Sequence, residues 1–160
     1  MSAPVPAWER RVEGLLGIAA SAILMAMMLL TFVDVVARYV FSRPLRGAFE
    51  VTELMLLVLI FAGLPLVSFT DEHAVMDFVD RLLGPRGQRA LIGAVQALSA
   101  AFMFLLAWLT WLKADRIWAY RDATDVLRIL YGPFVYFMAL TLALAGVIHL
   151  YKVADPVVRR

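Results

Sequence analysis

Four long stretches without a charged residue place the strongest constraint on how this chain can fold. They contain 20, 17, 23 and 20 residues, together half of the 160-residue sequence: Gly14–Val33, Leu54–Thr70, Ala90–Leu112 and Ile129–Ile148. About 20 apolar residues in a helix cross the roughly 30 Å hydrocarbon layer, where a helix satisfies its own backbone polar groups. The sequence therefore predicts an all-α integral membrane protein with four transmembrane helices, at about residues 12–37, 50–70, 89–113 and 129–151.

The remaining residues are too few for a second domain. The longest hydrophilic connection, about residues 71–89, cannot bury a core of its own. The mean hydropathy of +0.83 exceeds what a soluble domain needs, and the basic residues are scattered between the spans, which suits membrane flanks rather than nucleic acid. We therefore expect residues 1–160 to form a single domain in contact with membrane lipid, with the first span retained rather than cleaved as a signal peptide.

No motif for catalysis or for a cofactor is found in the sequence. The chain has no cysteine, no HExxH, no GxSxG, no P-loop and no GxGxxG. His73 and His149 follow the second and fourth spans, but both lie at or beyond the span ends, where we expect solvated histidines rather than haem ligands. We therefore predict a protein that is not an enzyme and that holds neither a cofactor nor a metal ion.

Charged side chains concentrate in the connection between the first and second spans. Asp34 and Arg38 are four residues apart with the acid first, so on a continuing helix they share a face and form a favourable pair. Pro44 and Gly47 then indicate a turn back toward the membrane. The sequence predicts a helical hairpin with an ion pair at its polar end.

Two carboxylates stand at the entrance of the second helix. Glu50 and Glu53 are three residues apart on one helix face, at a depth where unpaired ionised carboxylates are costly. We expect a cationic partner for them, and the candidates are Arg38, Arg43 and Arg46. Three interpretations stay open: a structural network of ion pairs, contact with a second protein, or a proton-coupled site.

Small and polar residues inside the spans indicate how the helices pack. Gly93, Ala97 and Ala101 recur every four residues, which forms a strip that a helix of the bundle or of a partner can approach closely. Gln96 should hydrogen-bond to a neighbouring helix, as structural support or as part of a transport path. Pro65 should kink the second helix or end its hydrogen-bond ladder, as a static bend or as a gate.

The connections after the second and third spans carry further signals. A short amphipathic helix at the membrane surface is predicted after the second span, with apolar residues at i, i+3, i+4 and i+7: Val75, Phe78, Val79 and Leu82. We expect the third helix to extend past Lys113, and Asp122 or Thr124 to cap the start of the fourth.

The charge bias of the connections leaves the orientation in the membrane almost undecided. Four spans place both termini on one side, with eight basic residues on that side against seven on the other. The positive-inside rule then favours cytoplasmic termini only slightly.

Several motifs, taken in order, resemble a known family. They are Asp34-Val-Val-Ala-Arg38-Tyr39-Val-Phe41, Pro44, Gly47-Ala48-Phe49-Glu50-Val-Thr-Glu53, Phe61-Ala-Gly63 and His73-Ala-Val-Met-Asp77. Their order and spacing, the chain length and the four spans resemble the small membrane subunit, the Q subunit or DctQ type, of tripartite ATP-independent periplasmic (TRAP) transporters.

This resemblance implies a role in uptake of an organic acid across the bacterial inner membrane. The large membrane subunit (M subunit) would carry the transport path and the sodium sites, and a periplasmic substrate-binding protein (P subunit) would capture the substrate. The present chain would be an accessory scaffold that braces the large subunit and helps to dock the binding protein. Both termini would be cytoplasmic, with residues 34–53 facing the periplasm and His73 and Asp77 on the cytoplasmic side.

Two other functions stay open on the residues alone. A self-sufficient four-helix transporter, acting as a homodimer, would use Glu50 or Glu53 as its proton-coupling carboxylate and would transport by itself in liposomes. A haem-bearing membrane anchor would show haem absorbance after purification.

Overall fold

Four helices make up almost all of the structure. The computed structural model describes residues 7–69 and 85–154. The helices are α1 (Ala7–Val40), α2 (Ala48–Phe69), α3 (Pro85–Tyr120) and α4 (Gly132–Ala154). Each is long and apolar enough to cross a membrane, which confirms the predicted all-α membrane fold with four spans.

The helices begin and end at somewhat different residues from those predicted. α1 and α3 contain 34 and 36 residues, so each is about 50 Å long and exceeds the roughly 30 Å hydrocarbon layer. α3 continues past Lys113 to Tyr120, as expected from the sequence. The amphipathic helix predicted after the second span, with His73 and Asp77, lies outside the described residues.

α4 is the central helix of the arrangement. It packs extensively against α3 and also against α2, whereas α1 packs mainly against α2 and has no buried residue in its spanning segment. Small residues permit the closest contact: Ala100, Ala107 and Ala114 of α3 are buried at seven-residue intervals, and Ala139 and Ala145 of α4 are buried as well. This spacing is typical of helices that cross at a shallow angle.

Pro65 does not end the second helix. α2 continues through this buried proline to Phe69, and the Ser68 hydroxyl donates a hydrogen bond to the carbonyl oxygen of Leu64 (3.0 Å). Bonds of this kind help to satisfy backbone groups near a proline inside a membrane helix.

The predicted cap of α4 is wrong. The carbonyl oxygen of Tyr131 accepts the first hydrogen bonds of the helix, from the amides of Phe134 and Val135. Thr124 lies eight residues before Gly132, and its hydroxyl accepts a hydrogen bond from the Ile129 amide (3.0 Å) instead. The residues before α4 fold back on themselves, so Asp122 meets the helix start through its backbone, where its carbonyl oxygen accepts a hydrogen bond from the Tyr131 amide (3.0 Å).

Candidate functional site

Two connections meet at one end of the molecule. The first connection (residues 41–47) joins α1 to α2, and the second connection (residues 121–131) joins α3 to α4. We call this end of the bundle the hairpin end. It contains all six of the charged residues singled out between the first two spans: Asp34, Arg38, Arg43, Arg46, Glu50 and Glu53.

Asp34 fastens the first connection to the last turns of α1. One carboxylate oxygen accepts a hydrogen bond from the Leu45 amide (2.8 Å), and the other forms an ion pair with Arg38 (2.8 Å). The side chain of Asp34 is 14% exposed, whereas that of Arg38 is 59% exposed. The four-residue spacing explains the contact with Arg38, but the bond to Leu45 depends on the chain reversal and was missed from the sequence.

Gly47 permits the first connection to touch the second. Its φ of +81° lies in the left-handed region, which glycine adopts without strain. A Cβ at this position would overlap the side chain of Leu127. Gly47 is therefore required both for the turn into α2 and for the close approach of Leu127.

The second connection is a folded element rather than an open loop. Ala123 and Leu130 form an antiparallel bridge, and the Thr124 amide donates to the carbonyl oxygen of Ile129 (2.9 Å). Thr124 is almost completely buried, at 1% exposed. Arg128 closes the reversal with a φ of +57°. These bonds give the second connection a defined shape.

Glu50 ties α2 to the second connection. Its two carboxylate oxygens accept hydrogen bonds from the amides of Val126 (2.7 Å) and Leu127 (2.9 Å). Bonds from amides to a carboxylate are charge-assisted and stronger than neutral ones. The sequence suggested a guanidinium partner for Glu50, but among the described residues its carboxylate is held by amides of the second connection, with the Thr124 hydroxyl also acting on it.

The other charged residues at the hairpin end face outward. Arg43, Arg46 and Glu53 are exposed, and none of their side chains makes a hydrogen bond or an ion pair with another described residue. The structure therefore leaves these three side chains available for contacts outside the chain.

Tyr131, directly before α4, lies near several negatively charged side chains. The pKa of its hydroxyl is raised above the usual value, first because the side chain is half-buried and then because Glu53, Glu50 and Asp125 carry negative charge nearby. Both effects favour the neutral phenol. Glu53 therefore acts electrostatically on Tyr131 even though it forms no ion pair with a described residue.

Aromatic residues hold the end of α3 against the start of α4. The Tyr136 hydroxyl donates to the Asp115 carboxylate (2.6 Å), and the Trp111 ring lies edge-on to Tyr136 with centroids 5.1 Å apart. Trp118 lies against Gly132, where a Cβ would overlap its ring. These contacts of the tryptophans with α4 were not predicted from the sequence.

The predicted strip of small residues lies on an outward face of α3. Ala97 and Ala101 are exposed, and a Cβ at Gly93 would meet no atom of the described structure within 4 Å. The close packing on α4 uses Ala100 and Ala107 instead. The strip is thus open to a partner, and its role in packing stays a prediction.

Gln96 finds an interhelical partner, as its depth in the third span predicts. Its amide oxygen lies 2.6 Å from Nδ1 of His149 on α4. His149 is only 8% exposed, so the expectation of a solvated histidine at this position is wrong. The pair joins the N-terminal half of α3 to the C-terminal part of α4, toward the end of the bundle opposite the hairpin end.

Comparison with known proteins identifies the family. The family model described as "Tripartite ATP-independent periplasmic transporters, DctQ component" matches residues 27–159. The curated proteins and the solved structures contain no match. The matched region includes both connections and all but the first part of α1. Since it covers most of the chain, this protein belongs to the DctQ family, the small membrane component of the TRAP transporters.

Proposed function

We propose that this chain is the scaffold of its transporter: it braces the large membrane subunit and helps to dock the periplasmic substrate-binding protein during sodium-driven uptake of an organic acid. The observation that carries the proposal is the bond between Glu50 and the second connection. It links the start of α2, just after the first connection, to residues of the second connection that are 76 and 77 positions further along the chain, so the two connections form one preformed surface. A preformed surface loses less conformational entropy when a partner binds.

The charges of this surface suit a soluble partner. Arg43, Arg46 and Arg128 are exposed beside the exposed acids Glu53 and Asp125. Charges of both signs at the rim of an interface steer encounter and fix the orientation of the partner more than they add affinity. The binding protein is periplasmic, so the hairpin end would face the periplasm and both termini would face the cytoplasm.

The membrane-facing surfaces suit the large subunit. α1 packs mainly on α2 and leaves most of its apolar surface uncovered. The strip of Gly93, Ala97 and Ala101 on α3 offers a second surface that a helix can approach closely. We assign both surfaces to contact with the large subunit.

The transport chemistry is assigned to the partners. Within residues 7–69 and 85–154, the charged side chains of the spans lie toward the helix ends, and the polar pair Gln96 and His149, toward the end opposite the hairpin end, is uncharged when the imidazole is neutral. Sodium coupling and substrate transfer need a polar path through the membrane. The large subunit would provide that path, and the binding protein would select the organic acid.

Affinity purification tests the proposal. The tagged chain is extracted from its native membrane in mild detergent, and the proteins that copurify are identified by mass spectrometry. We expect a larger multi-span protein in equal amount, and the periplasmic protein when its substrate is present. Recovery of the chain only with itself, together with proton-coupled transport in liposomes that contain no other protein, would overturn the scaffold role and favour a homodimeric transporter.

A further inference from the structure

An apolar cleft opens between α1, α2 and the start of α4. α1 and α4 both pack against α2 without packing closely on each other, which leaves a space of about 250 Å³. Ile23 lines it from α1, Val58 from α2 and Phe134 from α4, and no polar atom is exposed in it. These residues belong to the spanning segments, so the cleft lies at the depth of the membrane hydrocarbon.

Hydrocarbon is the natural content of such a cleft. Water gains no hydrogen bond from an apolar lining, and an empty space would forfeit the dispersion contacts of its walls. An acyl chain from the surrounding bilayer can fill the space and restore those contacts. A side chain of a partner helix could fill the same space, so the charged residues near one end of the cleft are needed to distinguish the two occupants.

Two arginines are close in the chain to residues that line the cleft. The Val51 amide donates to the carbonyl oxygen of Gly47 (3.1 Å), so Gly47 lies one helical turn above a residue that lines the cleft. Arg46 directly precedes Gly47. Arg128 directly precedes Ile129, which also lines the cleft. The contact between Gly47 and the second connection brings the two arginines to the same end of the cleft.

Neither arginine is neutralised by a described residue. Arg46 and Arg128 are exposed, and no carboxylate among the described residues lies within ion-pair distance of either one. Glu50, the acid closest to Arg46 in sequence, has both oxygens occupied by amides of the second connection. Asp125, three residues before Arg128, is exposed and forms no ion pair with it. Guanidinium groups match the geometry of phosphate oxygens and bind them in bidentate fashion.

We propose that this cleft binds one acyl chain of an anionic phospholipid, whose phosphate is held by Arg46 and Arg128. A side chain of a partner helix would satisfy the apolar cleft but would leave both arginines without a counter-charge. The proposal does not rest on the scaffold role. It adds a lipid site at the hairpin end.

Native mass spectrometry of the purified, delipidated chain tests the site. Phosphatidylglycerol and phosphatidylcholine with identical acyl chains are added at equal concentration, and the retained lipid is counted. We expect one retained lipid with a preference for phosphatidylglycerol of about fivefold or more, because each basic residue near an anionic headgroup contributes about a fivefold factor. Equal retention of both lipids, or no retention, would overturn the proposal.

Variants separate the two parts of the site. Arg46→Gln with Arg128→Gln should abolish the preference and keep the chain folded, since both side chains are exposed. Val58→Phe should lower retention of both lipids by filling the cleft. Arg121→Gln is the matched control, because Arg121 is also exposed in the second connection but lines a different pocket, with Trp118 and Gly132. An equal effect of Arg121→Gln would show nonspecific attraction and refute the site.

Two further results would also refute it. Binding of inorganic phosphate as strong as that of phosphatidylglycerol would show an ion site without an acyl chain. Loss of the lipid when the chain is purified together with a large membrane partner would show that a partner side chain fills the cleft. Retention of the lipid in that complex would support the proposal.

Discussion

The carboxylate of Glu50 accepts two backbone hydrogen bonds from Val126 and Leu127, residues that are 76 and 77 positions further along the chain. These bonds close the hairpin end, because Glu50 lies in the first turn of α2 and its partners lie midway between α3 and α4. Leu127 also packs on Gly47. Two adjacent residues, Val126 and Leu127, thus connect to the last residue of the first connection and to the first turn of α2.

Glu50→Gln should loosen the second connection. The glutamine side chain keeps one oxygen as an acceptor and places an amide donor where the other oxygen met a backbone N–H, so donor faces donor. We expect a lower melting temperature in detergent and faster amide exchange at Val126 and Leu127. Glu53→Gln is the matched control: it is exposed one turn further along α2, and it should leave both measurements unchanged.

The same two variants separate folding from assembly. If Glu53 contacts a partner protein, Glu53→Gln should lower the yield of the copurified complex while the melting temperature of the chain stays the same. Glu50→Gln should lower both. An unchanged complex yield for Glu53→Gln would remove Glu53 from the partner interface.

Gly47→Ala should destabilise the chain for two separable reasons. A left-handed backbone at a residue with a Cβ costs about 1–2 kcal/mol, and the new methyl group overlaps Leu127. Leu127→Ala in the same chain removes the overlap but leaves the backbone strain. The double variant should therefore recover part of the stability lost in Gly47→Ala, as measured by a double-mutant cycle of unfolding in detergent. Strict additivity of the two changes would contradict the contact.

The sequence predicted the parts of this fold that depend on local spacing. The four spans follow from the length of uncharged stretches, and the contact of Asp34 with Arg38 follows from their four-residue separation on one helix. The polarity of Gln96 inside an apolar helix predicted an interhelical bond, although not its partner. Each of these inferences needs only the geometry of a single helix.

The partners of Glu50 could not be predicted in this way. Backbone amides carry no signature in the sequence, and the second connection presents them only because its own hydrogen bonds bend it into shape. The face of α3 that packs inside the chain could not be predicted either. α3 contains two sets of small residues that a helix could approach: Gly93, Ala97 and Ala101, and Ala100 and Ala107. Hydrophobicity does not distinguish them, because lipid and a neighbouring helix are both apolar. Only the position of α4 shows which set packs inside the chain.

The Gln96 and His149 pair should couple α3 to α4. Gln96→Leu removes the amide oxygen from a histidine that is nearly buried, and interhelical hydrogen bonds in membranes contribute about 0.6–2 kcal/mol. A double-mutant cycle with His149→Leu, followed by tryptophan fluorescence during unfolding, should give a coupling energy in that range. Thr110→Leu, a polar residue elsewhere on α3, supplies the comparison. A coupling energy near zero would show that the contact adds no stability.

Single cysteines can establish the orientation, because the natural chain has none. Asp125→Cys lies exposed in the second connection, and Tyr151→Cys lies exposed near the opposite end of α4. If the hairpin end faces the periplasm, a maleimide that cannot cross the inner membrane should label Asp125→Cys in intact cells and Tyr151→Cys only after lysis. The reverse pattern would place the termini in the periplasm and exclude docking of a periplasmic protein at the hairpin end.

The ionisation of Tyr131 should depend on Glu53. Burial and the nearby acids raise the pKa of the phenol, so removing one negative charge with Glu53→Gln should lower that pKa toward its ordinary value. A raised pKa means that the folded chain holds the proton more tightly than the unfolded chain. Its contribution to stability is therefore complete below the unfolded pKa and is lost as the pH rises through the folded pKa.

Ultraviolet difference titration of phenolate measures this effect, and Tyr131→Phe identifies which of the five tyrosines gives the signal. Arg43→Gln is the charge control, since it removes a positive charge from the first connection and Arg43 is not among the groups that shift Tyr131. A Tyr131 pKa that is the same in Glu53→Gln and in the natural chain would place the Glu53 carboxylate too far away to act on the phenol. That result would also separate Glu53 from the acidic group around α4 and leave Glu50 and Asp125 as its members.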